Sequence, residues 1–434
     1  MLLKATDIRF RIFFVLLVTL YKLLLNGFYV QLSNYFDYYG LILNPRMAGD
    51  RFLIWLSLLT VAFFTPVQVK KASTALHGFL FLFCMVPASV YAELNEGHQV
   101  VFFFGLLAAF LTTPFLRDVL SLSKGLRFVA LNRRAFIFIF GGLVALLVIG
   151  LISSFGFKLS LPTVATVYDQ REVFHANAGR IEKYFFDWFV HAINVLLMIT
   201  ALRYRNILLF GLSLTLTLYL FSLGGHKGAL LLGPFTLAIY LTFYFVRERF
   251  LLAFATLMVL VISVGFVYDR MLGLDFSPFS SILIRRGLLL PSQIYYHYCD
   301  FFSTHELNHF SQNIPFKFFL NSPYEKNLPY IIGDNYFSFN EGNYANGNVF
   351  ADAFANIGFA AYPVATLFLS LFYAVADWLS RKKDLLIALP LIFISAHTFI
   401  NTGFIVALIT HGLALSVLLL FLYPNLRDDR YIEH

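Results

Sequence analysis

A chain of 434 residues that is 59% hydrophobic and only 13% charged does not read as a soluble globular protein, where about 25% charged residues is usual. Its net charge of +8 calls for no nucleic-acid partner, because in membrane proteins a Lys/Arg excess marks the cytoplasmic loops. With two cysteines, Cys84 and Cys299, there is neither a disulfide framework nor a thiolate metal site.

The opening stretch, MLLKATDIRFRIFFVLLVTLYKLLL, has a basic lead and a long apolar run with no small-residue cleavage site after it. It reads as an uncleaved first span. A helix needs about 20 apolar residues to cross the hydrocarbon core. On that criterion the chain holds about twelve spans. They lie near 11–30, 51–69, 74–93, 99–116, 135–155, 185–202, 206–223, 228–246, 250–267, 348–379, 385–400 and 404–424. The expected fold is an all-α polytopic membrane bundle, one integral membrane domain over 1–434.

Basic residues set the orientation. With the N-terminus inside, the inner segments carry Lys4, Arg9 and Arg11, then Lys70 and Lys71, then Arg117, Lys124, Arg127, Arg133 and Arg134. Further inner segments carry Arg203 with Arg205, Arg247 with Arg249, Arg381 to Lys383, and Arg427 with Arg430. Every inner segment is basic, so an even number of spans with both ends inside is self-consistent. Two outer segments stand out, at about 156–184 and about 268–347. The second is about 80 residues long, a length that is uncommon for a structureless loop without a function.

Charge within the spans is scarce. Lys22 is expected to snorkel from a helix end. Asp187 and His191 are four apart on one face of the sixth span, and His77, His397 and His411 stand singly. Isolated groups of this kind commonly just hydrogen-bond a neighbouring helix. With no acidic pair deep in a span and no inverted repeat, a proton-coupled transporter is disfavoured, since it needs a carboxylate relay.

The outer segments hold the charged constellations. TVYDQREVFHANAGRIEKY supplies Arg171, Glu172, His175, Arg180 and Lys183, a set that equally suits a solvated loop. SLGGHKGALLLGPF puts His226 and Lys227 in a Gly-flanked turn where something can approach the backbone; a snorkelling lysine is the plain alternative. In ILIRRGLLLPSQIYYHYCDFF, one helix over 286–300 would put Arg286, Gln293, His297 and Asp300 on a single stripe. Alternatively Pro291 sits in the first turn of a helix that starts near it, and Arg285 and Arg286 precede that start. Either way the segment suits an interfacial helix or the wall of a wet cavity. Further on, Asn348, Asp352 and Asn356 recur every four residues. Asp352 either favours a helix N-terminus or aims at a substrate hydroxyl.

No outer segment contains Asp-x-Asp, so a carboxylate-held Mg²⁺ has no evident ligands. No nucleotide-binding Gly-rich loop and no H-E-x-x-H appears. An enzyme facing outward has no nucleotide sugar or ATP available, so it needs a donor delivered in the membrane, and a lipid diphosphate fits. Its leaving group would be stabilised by fixed cations. Arginine suits phosphate because its planar fork binds bidentately and stays charged. Apolar surroundings, as at Arg285 and Arg286, strengthen that effect.

The succession VYDQREVF, GGHKGALLLGP, LIRRGLLLPSQIYYHYCDFFS and IGDNYF…NYANGNVFADAFANIG, over about 165–380, resembles the oligosaccharide repeat-unit polymerases of the bacterial inner membrane, the Wzy-type O-antigen and capsule polymerases. The resemblance implies a fold similar to the C-type lipid-dependent glycosyltransferases, with a large periplasmic loop containing short helices. It implies an enzyme that joins undecaprenyl-diphosphate-linked oligosaccharides on the periplasmic face, without cofactor or metal. The growing chain on its lipid diphosphate is the donor, and a sugar hydroxyl of a new lipid-linked unit is the acceptor. The lipid bilayer and a chain-length regulator protein are the other expected partners.

Carried onto this sequence, the resemblance makes Arg171 the arginine of the first loop and His226 with Lys227 the basic turn. Arg285 or Arg286 is the arginine before the aromatic run, Asp300 the acid that ends it, and Asn346 the asparagine before the tenth span. The THELNHFSQN stretch departs from the pattern, which puts His305 and His309 in doubt.

The expected diphosphate-binding set is Arg171, Arg180, His226, Lys227, Arg285 and Arg286. The glycan-binding set is Gln293, His297, Asn346 and Asn348. The mechanism expected is a single, inverting displacement at the anomeric carbon, with a base on the acceptor hydroxyl. Asp300, His305, Asp334 and Asp352 are the candidate bases, in no fixed order. The alternatives are an O-antigen ligase, which shares donor and topology, and a lipid-linked oligosaccharide flippase. A flippase should carry its charge in a span-lined cavity rather than in loops.

Overall fold

The computed structural model describes residues 5–121, 130–157, 159, 162–163, 166–337 and 343–425. Of the basic residues assigned to the inner side, Lys4, Lys124, Arg127, Arg427 and Arg430 lie outside this set. The described chain is helical, with no strand beyond an isolated bridge between Asn44 and Asn95.

Among the described residues, seven helical runs are long and apolar enough to cross a membrane: Ala72–Leu94, Val100–Val119, Arg133–Phe155, Arg180–Arg203, Ile207–Gly224, Lys227–Met271 and Val349–Ser380. Lys227–Met271 includes two of the expected spans, parted by a 3₁₀ turn at Arg247–Arg249. Helix Ala5–Phe36 covers the first expected span, and Ala48–Phe64 takes in the second as far as residue 64. The last two expected spans correspond to shorter apolar helices, Leu385–Ile400 and Leu413–Leu422. The protein is therefore a helical membrane protein.

The chain divides into two compact units. The first comprises 1–121, 248–374 and 399–405, and the second 122–247, 375–398 and 406–434.

In the first unit, helix Ala5–Phe36 packs on Phe250–Met271 through an edge-on Phe28–Phe266 contact of 5.5 Å. It packs on Ala72–Leu94 through Tyr29 and Tyr91, 5.0 Å apart and edge-on. Lys22, expected to snorkel, is instead fully buried and paired with Glu93 at 2.7 Å. It lies mid-helix, too far from either end to reach water, and a buried charge persists only when paired. After the first helix the chain turns back along the end of Ala72–Leu94. Asn44 donates its backbone N–H to Leu94 and Arg46 to Glu93, at 2.9 and 3.0 Å.

The segment from Ser280 to Phe302 is one continuous helical run. Ser280–Leu289 is π-helical and Leu290–Phe302 is α-helical, with Pro291 in the first α turn. The wider π turns accommodate a ring that can donate no hydrogen bond. They also add phase, so that Arg285 turns inward while Arg286 stays exposed. The helix Val349–Ile357 is capped by Asn348, whose side-chain oxygen accepts from Phe350 and Ala351 N–H groups at 3.0 and 2.9 Å.

In the second unit, Arg180–Arg203 passes through a π turn at Phe189–Ile193. Past the turn, Asn194 donates to Thr217 at 2.8 Å and accepts from Ser213 at 2.9 Å, the kind of polar contact that joins helices in lipid. Asn132, Asn206 and Asp384 cap the helices that follow them.

Candidate functional site

In the first unit, three polar groups of the helix Leu290–Phe302 meet a fourth that is distant in sequence. Gln293, His297 and Asp300 lie on one side of that helix, whereas Arg286, the fourth member of the expected stripe, is exposed in the π-helical part that precedes it. His98, from the short turn before Val100–Val119, closes on them: its Nδ1 is paired with the Asp300 carboxylate. The His98 ring stacks on Tyr296 at 5.0 Å and meets His297 edge-on at 5.5 Å. Arg46 fixes the turn, donating to the Ala92 carbonyl at 2.7 Å and also to that of His98.

His297 is clamped from the other side by Tyr336, stacked at 4.2 Å, and its Nε2 lies 3.3 Å from Gln293 Nε2. Gln293 donates to the Tyr39 carbonyl and accepts from the Tyr91 hydroxyl. Gly40 follows, with φ of +79°, and a Cβ there would fall 2.8 Å from the Gln293 amide nitrogen. Only glycine allows this approach.

The electrostatics follow from burial. His297 is held well below its usual pKa, first by desolvation and then by His98, so it is neutral. Tyr336 is pushed up to about 12, by burial and then by Asp300. Among the described residues, His98 Nε2 and His297 Nδ1 are buried with no hydrogen-bond partner. A buried polar atom left unpaired costs roughly 1–3 kcal/mol, so both atoms suit a bound polar group. One donor atom from each of His98, His297 and Asp300 lies within 4.8 Å of the others, so the trio also has the reach to hold a metal ion.

Arg285 lies on the same wall. Its guanidinium stacks 4.2 Å from the centre of Phe36 and 5.6 Å from that of Tyr39. Tyr39 thus touches both the arginine and Gln293. The other predicted residues of this unit lie in different settings. His305 stacks on Phe301 at 3.9 Å and contacts the Phe301 carbonyl. Asp334 accepts from Lys326 at 2.7 Å. Asn348 has its oxygen committed to the helix cap, and Asn346 is exposed. Asp352 abuts Gly403, where a Cβ would lie 2.0 Å from its carboxylate.

The second unit gathers part of the basic set. The turn at Gly225, with φ of +59°, brings His226 within 5.4 Å of His175. Arg171 donates to the Gly225 carbonyl at 3.3 Å. Burial, then Arg171 and His175, lower the His226 pKa to about 4. Near neutral pH it therefore offers an N–H and a lone pair, not a cation. Arg180 and Lys227 are exposed.

Comparison with protein-family models, with curated proteins and with solved structures finds no match. The residues that sequence reasoning passed over are His98, Arg46, Tyr39, Tyr91 and Tyr336. One signal for His98 was present: the polar run ELNEGHQ between two apolar runs. The basic-residue pattern puts that run on the same membrane side as the 268–347 segment.

Proposed function

We propose that the protein is an oligosaccharide repeat-unit polymerase that elongates a glycan held on undecaprenyl diphosphate. In this reading about twelve spans cross the bacterial inner membrane, both termini are cytoplasmic and the site faces the periplasm. The observation that carries the proposal is the His98–Asp300 pair with the unpartnered Nε2 of His98 beside it.

With Nδ1–H directed at the carboxylate, the neutral imidazole bears its lone pair on Nε2. That nitrogen takes the proton of the acceptor sugar hydroxyl while the hydroxyl oxygen attacks the anomeric carbon. The bond from that carbon to the diphosphate oxygen breaks, and the lipid diphosphate departs as the anion. Asp300 orients the ring and stabilises the imidazolium that forms. Arg286, exposed at the edge of the same run, neutralises the leaving group, and Gln293 with His297 offers hydrogen bonds to the sugar. Of the four candidate bases, Asp300 is retained as the partner of the base rather than the base itself.

The test is elongation of a synthetic undecaprenyl-diphosphate-linked repeat unit by the purified protein. Wild type should give a ladder, and His98→Gln and Asp300→Asn only the starting unit. A normal ladder from His98→Gln would overturn the assignment. Transfer of glycan to lipid A core, with no ladder, would identify a ligase instead.

A further inference from the structure

A second cluster lies wholly in the second unit and joins the Asp187–His191 pair to a histidine that the sequence presents singly. Asp187 and His191 come from Arg180–Arg203, and His411 from the turn before Leu413–Leu422. One donor atom from each of the three lies within 4.8 Å of the other two. His411 Nδ1 stands 3.9 Å from the Asp187 carboxylate, too far for a hydrogen bond. That nitrogen is buried and has no hydrogen-bond partner among the described residues. From this juxtaposition we infer that Asp187, His191 and His411 bind a divalent transition-metal ion of the Zn²⁺ class.

The orientation of the rings supports the assignment. His191 Nδ1 faces the Asp187 backbone carbonyl at 3.0 Å, so it must carry the proton, and Nε2 keeps the lone pair a metal needs. A backbone carbonyl fixing one ring nitrogen is the usual support of a metal-binding histidine. His397 is held the same way by the Ile394 carbonyl, and its ring stacks 5.9 Å from that of His191. It is an adjacent imidazole beside the three ligands.

The frame is built to hold this geometry. His191 sits inside the π turn Phe189–Ile193, a feature that recurs at functional sites. Trp188 donates to the Ile409 carbonyl at 2.7 Å, tying the His411 turn to the helix that bears the other two ligands. Gly412, with φ of +74°, lies where a Cβ would come 3.3 Å from the Trp188 backbone. Ser395 donates to the His191 carbonyl at 3.1 Å and bonds Ser416 at 2.6 Å. Two imidazoles and one carboxylate suit Zn²⁺, Co²⁺ or Fe²⁺, with a further position open. Ca²⁺ and Mg²⁺ favour shells of oxygen.

The experiment uses the full chain, purified in detergent through a tag without histidine, incubated with Zn²⁺ or Co²⁺ and desalted. One equivalent of metal by elemental analysis is expected, with a visible Co²⁺ absorption band. Asp187→Asn, which keeps the side-chain shape, and His411→Gln should lose both signals while eluting as the wild type does. Removing metal with a chelator should lower the wild-type melting temperature and leave that of Asp187→Asn unchanged. Binding at background level, or retained in Asp187→Asn, overturns the site. So does metal lost only from His98→Gln, which would place the ion in the first unit. Metal stoichiometry is independent of glycan elongation, so this inference and the proposed activity fail separately.

Discussion

Lys22 and Glu93 form an ion pair 2.7 Å long with both side chains shielded from solvent. The ammonium also donates to the Ser89 carbonyl at 3.1 Å and lies 4.7 Å from the centre of the Trp55 ring. Glu93 accepts from Asn26 at 3.1 Å and Arg51 at 3.3 Å. The ammonium and both carboxylate oxygens are committed, which suits a locking role between the first helix and Ala72–Leu94. Glu93→Leu leaves a buried ammonium without its counterion and should cost about 3–5 kcal/mol. The double variant Lys22→Met, Glu93→Leu should recover most of that loss. Thermal unfolding in detergent compares the two. A double variant no more stable than the single one would refute the locking account.

Arg285 and Arg286 should separate by their effects. Arg285 is buried over Phe36, and Arg285→Lys gives up the planar stack at a cost of about 1 kcal/mol. Arg285→Ala also loses the packing of the stem and should cost more. Arg286 is exposed, so Arg286→Ala should shift stability by about 0.5 kcal/mol or less while abolishing long polymer. Melting curves and product ladders on the same preparations check both halves.

Gly333 controls how the Tyr336 clamp reaches His297. A Cβ at this position would lie 1.8 Å from the Asn343 carbonyl oxygen, and backbone cannot swing aside as a side chain can. Gly333→Ala must push Leu328–Tyr336 off the 343–345 segment, which is held through the Ala345 N–H to Pro329 carbonyl bond of 3.0 Å. The expected loss is about 1–3 kcal/mol, with a drop in elongation because the His297 stack is disturbed. Gly49→Ala, where no atom lies within 4 Å of the new Cβ, is the control and should be silent in both measurements.

His226 sets a pH dependence of known sign. Its pKa is lowered from 6.5 to about 4, first by burial and then by Arg171 and His175. Below pH 6.5 the unfolded chain takes up a proton that the folded chain refuses, so stability present above that pH is lost as pH falls toward 4. The melting temperature should therefore drop between pH 7 and pH 5, and drop less in His226→Asn. Equal drops in the two proteins would show that His226 does not contribute.

The sequence made the apolar runs legible, because hydropathy is a one-dimensional property and needs no partner. Arg133–Phe155 and Val349–Ser380 lie where the pattern puts them. The spacing also put Gln293, His297 and Asp300 on one stripe, although it enrolled Arg286 with them, which the π turns set apart. What spacing could not supply was the partner on another helix. His98 meets Asp300 across 202 positions, and His411 meets Asp187 from a turn between two short helices. Lys22 was misread for the same reason: its burial depends on Glu93, and composition cannot say that the two face each other. The inward turn of Arg285 rather than Arg286 came from π turns, which leave no mark in the order of apolar residues.

The π turn at Phe189–Ile193 has a mechanical side. An ordinary helix advances about 100° per residue, so the extra residue in such a turn rotates all that follows by about that angle relative to all that precedes. The rod carrying Asp187 just before the π turn and Asn194 just after it is thus set in two angular registers. Shortening it by a single codon inside the turn would leave its hydropathy and length nearly unchanged. It would nonetheless swing Asn194 out of line with Ser213 and Thr217, or else carry Asp187 upstream away from His411, so one side of the rod would always be misaimed.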